Sequence, residues 1–355
     1  MDIGLSALTK DKPLIGWVCS YTPEEIIMAA GCQPLRLSGS GEPVKQADAY
    51  LHANLCPYVR GVFDQALEGA YQLDGAVFVN SCDAMRRLYD VFRLYLKPRF
   101  SFMLDMPRAE SSASLVHYAA QLRGLLAALG EAFSVASSEE RLLEAIRAVN
   151  RTRSLLQTLY GYRKGERPAI SGKESLSLVM QATKSPKVDF NRWLEGYLAR
   201  MEGRGKADSK PRLMLSGSII DRLEIIDLIE ETGLVVVEDL CTGHRYLHGL
   251  VREEGDLFES IARRYLQRVP CSRMTGLGRR LAYIKELVEE YRVEGIIYHA
   301  LKFCDQFQYD YPALKEELED MGIPLLYLEG DYTASGFGQV KTRVQAFVEM
   351  LKGMQ

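Results

Sequence analysis

The chain has 355 residues, 47 % hydrophobic and 26 % charged, which supplies a large core and suggests about two domains. Its net charge is −3, and Lys and Arg are scattered rather than gathered in a stripe, which argues against nucleic acid as a partner. No apolar run reaches the ~18 residues of a membrane span, and the opening MDIGLSALTKDKPLIGWV lacks a basic stretch followed by a long apolar one. These features predict a cytoplasmic protein with no signal peptide and no membrane partner.

In chain order, short apolar runs alternate with amphipathic stretches, the pattern of an α/β protein with parallel sheets. The first strands are predicted at LIGWV (14–18), QPLRL (33–37), GAVFV (75–79) and FSFMLD (100–105). A helix over 22–31 follows the cap-like Thr22-Pro23-Glu24-Glu25. From about 110 to 204 the apolar residues keep a helical period and no strand is evident. EGRGKADSKP (202–211) reads as a polar linker. Alternation then resumes with RLMLSGS (212–218), LVVVEDL (234–240), GIIYH (295–299) and PLLYLEG (324–330). The expected organisation is an N-terminal Rossmann-like domain (1–109), a helical connecting segment (110–204) and a C-terminal Rossmann-like domain (205–355).

Seven cysteines, an odd number, argue against a disulfide framework, and the absence of C-x-x-C weakens a zinc ribbon or a thioredoxin-like site. Cys32, in AAGCQPLRL, reads as a structural residue at an apolar helix end. The other six fall three to a half, with related contexts: WVCSY and DLCTG, CPYVRG and CSRMTG, SCDAM and FCDQF. Cys19, Cys82, Cys241 and Cys304 follow strands, and parallel sheets bind ligands beyond the carboxyl ends of their strands. Two such edges facing across a cleft would gather six thiolates, a set suited to a thiophilic metal, iron–sulfur first and zinc second. Helix N-termini after Cys19 and Cys82 would favour the thiolate form.

His244 and Arg245, in TGHRY, follow a candidate ligand and are candidate proton or hydrogen-bond donors. His299 ends a strand and is a third candidate for the same cleft. Asp83 and Asp305 read as helix caps, and the Ser216-Gly217-Ser218 turn offers backbone N–H groups to an anion. No phosphate-binding loop is present, and GFGQV (336–340) lacks the third glycine of a dinucleotide fingerprint. If ATP drives the chemistry, a partner must hydrolyse it.

The segments IGWVCSYTPEEIIMAAGCQPLRLSG, NSCDAMRRLYD, SGSIID, EDLCTGHRY, KFCDQFQYDYPALKEEL and GQVKTRVQAFVEML resemble the 2-hydroxyacyl-CoA dehydratase and benzoyl-CoA reductase subunit family over nearly the whole chain. The resemblance implies two Rossmann-like domains with an iron–sulfur cluster in the cleft between them. It also implies a separate ATP-hydrolysing iron–sulfur activator that injects low-potential electrons. A typical dehydratase subunit of that family carries one 4Fe–4S cluster on three cysteines, which correspond here to Cys19, Cys82 and Cys304. Cys56, Cys241 and Cys271 bring the set to six, the number implied by the double-cubane branch, whose 8Fe–9S cluster leaves three terminal irons on each cubane. That branch implies reduction of small molecules such as acetylene, azide or hydrazine. The heterodimers of similar chains formed by the family's dehydratase subunits imply a homodimer here, one chain standing in for both. The alternatives are a single-cubane 2-hydroxyacyl-CoA dehydratase subunit and a non-catalytic electron-transfer protein.

Overall fold

A computed structural model of the chain describes residues 12–201, 210–220, 222–331 and 336–354. Most of the linker read at 202–211 lies outside these residues, as does nearly all of the opening segment before Pro13.

The described chain carries two four-stranded, all-parallel sheets. The first is built from β1 (Leu14–Trp17), β2 (Gln33–Arg36), β3 (Gly75–Val79) and β4 (Phe100–Leu104), in the order β2-β1-β3-β4. The second, from β5 (Arg212–Gly217), β6 (Leu234–Asp239), β7 (Gly295–Leu301) and β8 (Leu325–Gly330), repeats that order as β6-β5-β7-β8. Every residue of β3 and β7 is buried, as expected for central strands covered on both faces by helices. The fold is α/β with two Rossmann-like sheets.

β7 runs two residues beyond the apolar run read from the sequence, because Ala300 and Leu301 continue it past the histidine. His299 therefore sits inside a strand, level with Gly217 and Leu328. Gly217 allows that close approach: its φ is +108°, and a Cβ there would lie 2.1 Å from the His299 carbonyl oxygen. The Ser218 N–H donates to that same carbonyl at 2.7 Å, so it is not free for an anion as the sequence alone suggests.

In the first half, α1 (Glu24–Ala29), α2 (Pro57–Leu67) and α3 (Asp83–Val91) follow β1, β2 and β3 in turn. The predicted helical stretch forms α4 (Ser112–Phe133), α5 (Glu139–Gly161), α6 (Gly172–Ala182) and α7 (Lys187–Ala199). Ser111, Ser138 and Ser171 cap the first three of these, each hydroxyl oxygen accepting a backbone N–H at 3.0–3.3 Å. The second half adds α8 (Leu223–Glu230), α9 (His244–Leu247), α10 (Leu257–Gln267), α11 (Leu277–Tyr291), α12 (Asp305–Asp320) and α13 (Phe337–Met354).

These helices join the two sheets. α4 and α5 pack on α1 and α10, while α6 packs on β6 and α8. One apolar cluster runs from Phe78 in the first sheet through Leu125 and Leu156 to Val236 and Ile296 in the second. Glu24 and Glu25, part of the cap-like stretch in the sequence, point into this core. Glu24 pairs with Lys187 at 2.5 Å and accepts from the Tyr246 hydroxyl at 2.6 Å. Glu25 pairs with Arg153 at 2.7 Å and accepts from the Tyr265 hydroxyl at 2.9 Å. Breaking such a buried pair by removing one partner costs about 3–5 kcal/mol, so these contacts fix how the halves meet.

Candidate metal centre

Local structure aims the cysteines. Cys56, Cys82 and Cys304 are the N-cap residues of α2, α3 and α12, at the end of each helix where the dipole favours a thiolate. Asp83 and Asp305 therefore stand one position inside their helices and do not cap them. Asp83 is exposed and pairs with Arg86 and Arg87. The turn delivering Cys304 holds Phe303 at φ +60°, a left-handed conformation that costs a non-glycine residue about 1–3 kcal/mol. Cys19 follows β1, and its carbonyl accepts the Thr22 N–H at 2.9 Å. Cys241 follows β6, and Cys271 lies in the turn between α10 and α11.

The echo between the halves is thus partial. Cys82 and Cys304 occupy equivalent places, each capping the helix after the third strand of its sheet order. Cys19 and Cys241 do not: one follows the first strand of its half, the other the second.

Cys19, Cys56, Cys82, Cys241, Cys271 and Cys304 all line one cavity; five of them follow strands of the two sheets or open helices beside them, and Cys271 comes from the turn before α11. Cys32 does not line it; its thiol is buried beside the Ala30 carbonyl, and burial pushes it up to about 11. Among the described residues no three His, Cys, Asp or Glu side chains converge as a single-ion site requires. Terminal ligands of a cluster bind different irons and need not converge, so six thiols spread around one cavity fit a multi-iron group better than a lone ion.

Two arginines that the sequence patterns did not single out complete the cavity. Arg36, at the end of β2, donates to the Cys241 sulfur at 3.4 Å and to its carbonyl at 3.2 Å. Arg273 donates to the sulfurs of Cys271 (3.3 Å) and Cys304 (3.4 Å). Each carried a signal: Arg36 is the one charge in the apolar run QPLRL, and Arg273 lies two residues after a candidate ligand.

Charge and burial set the thiols apart. Burial raises Cys19, Cys304 and Cys56, the last to about 12. Burial also opposes ionisation of Cys271, but Arg273, Arg245 and the Arg273 backbone N–H overcome it and bring that thiol down to about 7. The remaining lining is largely apolar, including Val18, Val59 and Phe307, with the Ser81 and Ser218 hydroxyls among it.

The other candidates sit back from this cavity. Arg245 is buried and pairs with Asp239 at 2.7 Å, and its charge reaches Cys271 from behind. His244 is enclosed by the rings of Tyr160, Tyr283 and Tyr291, hydrogen-bonded to the Tyr283 hydroxyl, and burial lowers it to about 3. His299 lines a neighbouring cavity, and burial lowers it to about 4. Neither histidine lines the cysteine cavity. Among the described residues no helix is long and apolar enough to cross a membrane.

A family model described as 2-hydroxyglutaryl-CoA dehydratase, D-component, matches residues 19–351. YjiM of Escherichia coli (strain K12) is 31 % identical, covering 96 % of this chain and 91 % of its own. The (R)-phenyllactyl-CoA dehydratase beta subunit of Clostridium sporogenes is 26 % identical over 95 % of this chain and 91 % of that protein. One of the subunits of the benzoyl-CoA reductase of Thauera aromatica is 24 % identical over 96 % and 91 % respectively.

Proposed function

The chain belongs to the 2-hydroxyglutaryl-CoA dehydratase D-component family, and from that premise we propose that it is an iron–sulfur reductase. In this reading Cys19, Cys56, Cys82, Cys241, Cys271 and Cys304 hold an 8Fe–9S double cubane. The cluster would supply low-potential electrons to a small-molecule substrate, and a separate ATP-hydrolysing activator would supply them to the cluster. The observation that carries the reading is the meeting of all six cysteines on one cavity while Cys32 stays apart.

The chain's own groups support it. A set of thiolates is tolerable in a buried place only with compensating charge, and Arg36 and Arg273 bring it within hydrogen-bond reach of three of the sulfurs. Apolar side chains around the cavity limit water at the thiolates. Arg245 holds the end of β6 through Asp239 and so positions the turn that presents Cys241. A homodimer acting in the cytoplasm belongs to the same proposal.

Iron and acid-labile sulfide in anaerobically purified protein test it. Six terminal thiolates on two cubanes predict about eight irons per chain. The second reading is a dehydratase subunit with one cubane on Cys19, Cys82 and Cys304, favoured by the dehydratase subunit named among the relatives, and it predicts about four. Zinc without iron would sink both.

A further inference from the structure

Beside the cysteine cavity lies a second one of about 260 Å³, at the carboxyl edge of β5, β7 and β8. Ile219 and Leu301 line both, so a single layer of side chains separates them. Its place is where an open parallel sheet binds ligands: β5 lies between β6 and β7, and the chain changes direction there.

The wall is mostly apolar, with Ile225, Leu328 and Val340 among its side chains. One polar side chain sits on that wall with unmet capacity. His299 is only 6 % exposed, and its Nδ1 is buried with no hydrogen-bond partner among the described residues. A buried polar atom left unpaired costs about 1–3 kcal/mol, and the residue that carries it lines this cavity. The β8 end makes room for the ring: a Cβ on Gly330 would lie 2.6 Å from His299 Nε2. Charge at the rim is balanced. Arg222 donates to the Gly41 carbonyl at 2.9 Å, Lys302 faces Asp331 at 3.7 Å, and Glu329 adds a second acid.

We propose that this cavity binds a small, uncharged, largely apolar molecule that carries one hydrogen-bonding group for His299. Resting on the reading above, that molecule is the reducible substrate, held with only Ile219 and Leu301 between it and the cysteine cavity. Burial keeps the imidazole neutral, so it offers one N–H donor and one acceptor to a carbonyl, amide or hydroxyl. A charged ligand would surrender hydration in an apolar cavity whose rim provides no net counter-charge.

The test uses the full chain with labelled histidine, followed by imidazole ¹⁵N NMR, with His299→Asn identifying the signal. Isobutyramide is titrated as probe, with isobutyrate and isobutylammonium as charged comparators. A saturable shift of the His299 signal is expected with the amide, with both ions binding at least ~10-fold more weakly because of their desolvation cost. Val340→Phe, which fills the cavity from its α13 side, should weaken the amide by a similar factor. No shift up to the solubility limit overturns the proposal, as does equal binding by the anion or unchanged binding in Val340→Phe. Binding is read without metal, so it is independent of the iron analysis. If the iron analysis finds about eight irons per chain and the metal-free protein does not respond to the amide, the pocket alone fails. If it finds no iron and the amide still binds, the pocket stands and the reductase reading fails.

Discussion

Arg273 donates to the Cys304 sulfur at 3.4 Å across 31 positions of sequence, while its other terminal nitrogen donates to the Cys271 sulfur at 3.3 Å. One guanidinium therefore ties together a turn before α11 and the residue that opens α12. In metal-free protein its charge also favours ionisation of the Cys271 thiol. Alkylation by iodoacetamide follows the thiolate, so Cys271 should begin to react as pH passes about 7, well below the ordinary value of 9.0. Replacing Arg273 with Gln leaves burial unopposed by its charge and should move that onset up by at least ~1 pH unit. Mass-spectrometric mapping of the modified cysteine against pH checks this, and an unmoved onset would remove Arg273 from the argument.

A second expectation concerns the contact between helical segment and second sheet. Arg163, just past α5, pairs with Glu238 of β6 at 2.6 Å, both wholly buried, and the Tyr160 hydroxyl donates to the same carboxylate. Arg163→Met strands that carboxylate in the core and should cost about 3–5 kcal/mol, read as a lower urea midpoint. Adding Glu238→Gln to the variant should recover part of the loss, because the stranded charge is gone. A double variant worse than the sum of its parts would show that packing, not charge, holds the contact.

Acid should weaken the fold through His299. Its folded value is lowered to about 4 by burial, against 6.5 for the free side chain. Between those values the unfolded chain takes up a proton that the folded chain refuses, so unfolding gains as pH falls. The stability is intact above pH 6.5 and is lost progressively down to about pH 4, to a total of roughly 3 kcal/mol. His299→Asn should flatten this limb: urea midpoints at pH 7 and pH 5 should lie closer together in the variant than in the parent chain. An unchanged gap would mean other groups carry the acid sensitivity.

Much of the fold is legible in the sequence because parallel strands buried on both faces leave compact apolar runs, as GAVFV and GIIYH do, between longer helical patterns. The four cysteines after strands were legible for the same reason. The charges were not. Arg36, Glu24, Glu25, Arg163 and Glu238 are buried, and no local pattern tells a buried, paired charge from a solvated one, since each partner lies far along the chain. His244 shows the converse failure: it follows Cys241 closely, yet the α9 turn swings its ring into an aromatic cluster. Sequence proximity to a candidate ligand does not determine which way a side chain faces.

The last expectation separates the cysteines. If six thiolates hold the cluster, Cys56→Ser, Cys241→Ser and Cys271→Ser should each lower iron content or change the EPR spectrum, as should serine at positions 19, 82 and 304. Serine offers oxygen, a harder and poorer ligand for iron in these clusters than thiolate. Cys32→Ser is the control: its thiol lies off the cavity, so iron should stay constant while burying a hydroxyl costs about 1–3 kcal/mol of stability. The single-cubane reading expects a different pattern, with loss only at 19, 82 and 304. Cys241 is the most informative position, because Arg36 rather than Arg273 faces its sulfur, at the side of the cavity where β2 and β6 end. Iron loss there, with Cys32→Ser unaffected, would add Cys241 to the ligands and favour the six-thiolate set. Unchanged iron in Cys56→Ser, Cys241→Ser and Cys271→Ser together would confine the metal to three ligands and end the double-cubane proposal.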